Sequence, residues 1–161
     1  MYQLADLIKK IKAMLFNKMH HEEILETITE LKINYTLIDK GSSDGIYKII
    51  LNKFSNRDQY YFPLWDHLME NSISIKAEYA WDRFNKLLGN REVILFFDLE
   101  DDPYMFKIND SANLVSIFEN SYRMVFYLTN PTYDFLLAYN DHDYLIACGE
   151  MPNLKSVYST S

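Results

Sequence analysis

Between Tyr122 and Gly149 the chain reads as three short apolar runs separated by polar turns. The runs Tyr122–Leu128, Phe135–Tyr139 and Tyr144–Cys148 are rich in Val, Ile, Leu, Phe and Tyr. They are too short for independent helices, which predicts strands. Asn130-Pro131 and Asn140-Asp141-His142-Asp143 supply the turns. Proline cannot donate to a ladder, and Asn and Asp accommodate turn backbone. Links this short make the strands antiparallel neighbours. Apolar residues at both alternating positions require cover on both faces of the sheet. Upstream, Val93–Phe97 and Tyr104–Ile108 repeat the pattern around the acidic turn Asp98-Leu99-Glu100-Asp101-Asp102-Pro103.

Before Gly89 the period differs. Leu4, Ile8, Ile11 and Leu15 recur at helical spacing, with Lys9, Lys10 and Lys12 elsewhere on the wheel. This predicts an amphipathic helix over 3–18 whose stripe joins the core. A second helix is predicted over 21–33, with Glu22 and Glu23 in its first turn and Ile24, Ile28 and Leu31 buried. Gly41-Ser42-Ser43-Asp44-Gly45 reads as a loop between two short strands, Tyr35–Ile38 and Ile46–Leu51, in a hairpin. Pro63 opens a short helix through Met69. Ala77, Ala80, Trp81, Phe84 and Leu88 predict a helix over 75–88, stopped by Gly89. Asp110 caps a further helix over 111–120 that carries Leu114, Val115 and Phe118. The fold class is therefore α+β: a mainly antiparallel sheet with N-terminal and connecting helices packed on it, in a single domain spanning residues 1–161.

Composition narrows the function classes. The lone Cys148 falls inside a predicted strand, where it reads as a small buried hydrophobe rather than a nucleophile. A chain without a cysteine pair suits a reducing cytosol. The start of the chain, Met1-Tyr2-Gln3-Leu4-Ala5-Asp6, has charges within its apolar pattern and does not read as a signal peptide. No apolar run is long enough to span a bilayer. The expectation is a soluble, cytoplasmic protein without a membrane partner. Adjacent His20 and His21 cannot both point one way along a helix, and no ligand spacing accompanies them. No nucleophile–base pair, phosphate loop or EF-hand is present in the spacing, so the chain is read as a non-enzyme without cofactor or bound metal.

Charge changes the picture more. Residues 1–90 carry 12 basic and 12 acidic residues, whereas residues 91–161 carry 4 basic against 11 acidic, so the whole net charge of −7 lies in the second part. That part offers no basic surface for nucleic acid, and it favours a basic protein partner instead. Chain direction places this charge. If Val93–Phe97 runs upward, Asp98–Asp102 lies at the top and Tyr104–Ile108 descends. A helix of about ten residues spans roughly 15 Å and returns the chain to the top. Tyr122–Leu128 then descends, Phe135–Tyr139 rises, and Asn140–Asp143 turns at the top as well. Asp98, Glu100, Asp101, Asp102, Asp141, His142 and Asp143 are thus expected at one end of one sheet. Such a set can be solvated turns, a seat for a hard cation, as in a small metal-dependent hydrolase, or a docking surface in a protein-interaction module.

The segments AWDRFNKLLGN, VILFFDLEDD and FYLTNPTYDFLLAYNDHDYLIACG, within residues 78–149, resemble a group of small bacterial proteins with an "FYLT…D.L..YN.HD.LI..G" ending. Some of that group look like immunity proteins encoded beside secreted polymorphic toxins, including those of contact-dependent growth inhibition. The resemblance implies an inhibitor that binds one cognate toxin domain and blocks its active site; many such toxins are nucleases, and an acidic surface suits a basic cleft built for phosphates. It carries over no catalytic residue. It selects the docking reading of Asp98, Glu100, Asp101, Asp102, Asp141, His142 and Asp143.

Overall fold

The computed structural model describes residues 2–16, 19–122 and 124–159; the side chains of residues 2, 9 and 12–16 lie outside the described set. The elements in order are α1 (Tyr2–Phe16), α2 (His20–Leu31), β1 (Tyr35–Ile38), α3 (Lys40–Phe54), β2 (Ile73–Lys76), α4 (Phe84–Leu88), β3 (Val93–Phe96), β4 (Met105–Ile108), α5 (Leu114–Glu119), β5 (Phe126–Thr129), β6 (Phe135–Tyr139), β7 (Tyr144–Gly149) and α6 (Leu154–Tyr158). Short 3-10 turns at Leu64–His67, Ala80–Arg83 and Ser111–Asn113 link them. The strands form one seven-stranded sheet in the order β1-β4-β3-β5-β6-β7-β2. Every neighbouring pair is antiparallel. The protein is an α+β protein.

Alternation explains why β3, β5 and β6 are buried at every position. Val93, Leu95, Phe126, Leu128, Phe135, Leu137 and Tyr139 face a core closed by α2, α4, α5 and α6. Ile94, Phe96, Tyr127, Leu136 and Ala138 face a second core closed by Tyr47, Ile50 and Phe54 of α3 with Leu64 and Leu68. Each strand thus feeds two cores through its period of two. Cover on both faces is what the sequence requires, and Cys148 is buried in the second core.

Five expectations need correction. Ile46–Leu51 belongs to α3, not to a hairpin, and Tyr35–Ile38 pairs with β4 at the sheet edge. Asp39 caps α3 by accepting from Ser42 N at 2.9 Å, so the Gly-Ser-Ser-Asp-Gly run opens a helix. Ser43, Tyr47, Ile50 and Phe54 are its buried stripe. The helix expected over 75–88 loses its first part: Ile73–Lys76 is β2, paired with β7 at the other edge. Tyr79, at φ 54°, breaks the chain before the turn that leads into α4. Trp81 and Phe84 are buried as expected. Leu31 at the end of α2 is exposed, and Thr27 joins Ile24 and Ile28 on the buried stripe instead. The helix expected from Pro63 through Met69 is only the 3-10 turn Leu64–His67. Finally, Leu4, Ile8 and Ile11 of α1 are exposed rather than core; Leu15 as a side chain, and residues 17 and 18 of the expected helix, lie outside the described residues. No helix among the described residues is long and apolar enough to cross a membrane.

Candidate protein-docking surface

The site is built by strand direction. β3 rises and ends at Phe96, β5 begins at Phe126, and β6 ends at Tyr139 before β7 begins at Tyr144. Antiparallel pairing brings these ends together, with Phe96 opposite Tyr127 and Phe126 opposite Tyr139. The β3–β4 turn and the β6–β7 turn therefore sit at one end, and Asp101 and Asp141 line a common open cleft of about 440 Å³. Gln3, Asp6, Leu7 and Lys10 of α1 line its other side. His20, Tyr122 and Asn140 complete much of the wall.

The seven expected docking residues divide by burial. Glu100, Asp141 and His142 are exposed, and Asp101 and Asp143 are partly so. Asp98 and Asp102 are buried, at 1% and 0% exposure, which removes them from any surface. Asp98 Oδ1 accepts from the Tyr60 hydroxyl and from Leu64 N, both at 2.7 Å, and Oδ2 accepts from the Tyr127 hydroxyl at 2.8 Å. The same hydroxyls accept in turn from Leu99 N at 3.0 Å and Trp65 N at 3.1 Å. Asp98 thus moors the 60–65 segment to the sheet. Burial, and then the Asp98 charge, push the Tyr127 phenol far above its ordinary value, and Tyr47 shifts the same way for the same reasons. Tyr60 is raised by burial and by its hydrogen bond to Asp98.

Asp102 holds the start of α2. Its Oδ2 accepts from His21 N at 2.7 Å and lies 2.7 Å from His21 Nδ1, and its Oδ1 accepts from Tyr104 N at 3.0 Å. A carboxylate on the first backbone N–H groups of a helix is favoured by their unpaired donors and by the helix dipole. The His21 ring packs against Tyr104 at 4.2 Å. His20 points elsewhere, against Phe97 and Tyr122 at 5.1 and 6.0 Å, so the two imidazoles diverge. Burial lowers the His20 pKa, with Asp102 acting in opposition.

The second turn is held by Asn140. Its side-chain oxygen accepts from His142 N and Tyr144 N, both at 3.0 Å, and leaves Asp141 in solvent. Asp143 takes φ 63° and its carboxylate accepts from the Tyr139 hydroxyl at 2.9 Å. His142 lies edge-on to Trp65, 5.8 Å between rings, and its Nε2 is 3.6 Å from Asp141 Oδ1. Asp101 is pushed upward by partial burial first and by Asp98, Glu100 and Asp102 after it. A partly desolvated carboxylate surrounded by others gains from an arriving cation.

Among the described residues no three His, Cys, Asp or Glu side chains form a group that could hold a metal ion. Burial pushes the Cys148 thiol up to about 11, away from the reactive thiolate. Sequence reasoning missed Asp6, Lys10, His20 and Tyr122 as members of the cleft. The only signal was the polar edge of α1, hidden by assigning its apolar stripe to the core. Comparison with protein-family models, with curated proteins and with solved structures finds no match.

Proposed function

We propose that this protein is an inhibitor of the immunity type, which binds a basic toxin domain encoded beside it and covers that domain's active-site cleft, that of a nuclease. One observation carries the reading: two acidic turns far apart in sequence converge on one open cleft, with Asp101 and Asp141 in its wall and Glu100 exposed on the same turn as Asp101. An acidic concavity of this kind attracts a surface evolved for phosphates and steers its approach. The resemblance of residues 78–149 to a group of small bacterial proteins, some of which look like immunity proteins, supports the same reading.

The test is binding kinetics against the domain encoded by the reading frame immediately upstream. The variant Glu100→Ser, Asp101→Ser, Asp141→Ser leaves the buried Asp98 and Asp102 in place, so it alters surface charge without removing their hydrogen bonds. Association should slow roughly tenfold at low salt and lose most of its salt dependence, because rim charges act on encounter. An unchanged association rate would remove the acidic end from the interface.

A further inference from the structure

α1 turns an apolar stripe to solvent. Leu4, Leu7, Ile8 and Ile11 form one stripe at spacings of three, one and three, and their exposures run from 48% to 67%. A surface helix ordinarily turns such a stripe inward. Here Gln3, Asp6 and Lys10 line the open cleft at the end of the sheet, with Asp6 half-buried and Gln3 and Lys10 exposed, and Leu4, Ile8 and Ile11 meet solvent. Leu7 belongs to both: it lines the cleft beside Asp101 and Asp141 and is half exposed on the stripe.

We propose that this stripe is the apolar anchor of the docking surface, seated in an apolar groove of the basic partner, with Glu100, Asp101 and Asp141 as its acidic rim. The inference rests on the inhibitor role proposed above. An apolar strip continuous with a charged rim is the common anatomy of a protein interface. The rim decides the occupant. An anionic bilayer would meet Asp6, Asp101 and Asp141 in the cleft that Leu7 shares, with Lys10 offsetting only one of these charges, and Glu100 exposed on the same turn as Asp101, and would be repelled. A second copy would bring two acidic ends together, and four side chains fall well short of the roughly 800 Å² per partner of a stable interface. A basic partner matches the rim in sign and covers the stripe in the same event.

The experiment uses full-length wild type, the variant Leu4→Ala, Ile8→Ala, Ile11→Ala, and the triple charge variant, each against the upstream-encoded domain. Alanine preserves helix propensity, and circular dichroism checks that α1 persists. The stripe variant should dissociate about tenfold faster with its association rate within about twofold, because apolar anchors act on residence time. The charge variant should show the converse. Equal dissociation rates for wild type and stripe variant would overturn the role of α1 while leaving the acidic end as the interface. Absence of binding by the wild type would overturn both. A dimer in light scattering that the stripe variant abolishes would assign the stripe to a second copy instead. Co-sedimentation with phosphatidylserine vesicles, lost in that variant, would assign it to a bilayer; either result overturns the proposal.

Discussion

Asp98 accepts two tyrosine hydroxyls and a backbone N–H inside the protein, whereas Glu100, two residues on, is exposed. Removing a buried acceptor strands its donors, and removing a solvated one does not. Asp98→Ala should cost about 3 kcal/mol in chemical denaturation, and Glu100→Ala should stay within about 0.5 kcal/mol. Equal effects would show that the Asp98 network contributes no stability. The same network sets an alkaline limit. Burial first, and Asp98 with it, raise Tyr47, Tyr60 and Tyr127 in the folded state above the ordinary value of 10.0. Above that pH the unfolded chain releases protons that the folded chain keeps, so stability is intact below about pH 10 and falls as pH rises beyond it. Absorbance titration should show these phenols ionising only with unfolding. Smooth ionisation of all 13 tyrosines in a folded protein would contradict this.

At the scale of elements, α3 is the sharpest test of local against tertiary preference. Gly45 lies inside this helix, and a Cβ there meets nothing within 4 Å. Gly45→Ala should therefore raise stability by about 0.5–1 kcal/mol, the helical difference between the two residues. In the hairpin that the glycines imply, the same change would weaken a turn, so a loss of melting temperature would refute the helix. Gly149 behaves oppositely. It takes φ 77° at the end of β7, and an added Cβ would lie 2.5 Å from Asp134 O and 3.0 Å from Phe54 Cε1. That close approach fits α3 against the β6–β7 ladder, and no side chain fits there.

For the molecule as a whole, cover on both faces concentrates stability at the centre of the sheet. β3, β5 and β6 are buried at every position and have paired neighbours on both sides. β1 and β2 are edge strands of four residues with largely exposed side chains. Amide exchange should be slowest in β3, β5 and β6 and faster by orders of magnitude in β1, β2 and α1. Protection of α1 equal to that of β5 would mean that its stripe is covered in the free protein, against the exposures described.

The five central strands, their directions and the gathering of two acidic turns at one end are legible in the sequence, although β5 begins at Phe126 rather than at Tyr122 and ends at Thr129. Each follows from short-range information: a period of two, turn residues at the gaps, and a helix long enough to return the chain. The capping of the 3-10 turn that leads into α5 is equally local, since Asp110 accepts from Ala112 N at 3.0 Å. What the sequence could not settle depends on partners far away along the chain. Ile73-Ser74-Ile75-Lys76 alternates as a strand should, yet it gains ladder partners only from Tyr144–Ala147. Ile46–Leu51 suits a strand or a helix by composition, and burial of Tyr47, Ile50 and Phe54 against the second face of the sheet selects the helix. Asp98 and Asp102 carry the same charge as Glu100 and Asp101 and sit in the same turn. Only the inward position of Tyr60, Tyr127 and His21 makes them structural carboxylates, because a buried charge persists only where donors already wait for it. The outward stripe of α1 has the same origin: periodicity determines which residues share a face, and the packing of distant elements determines which way that face turns.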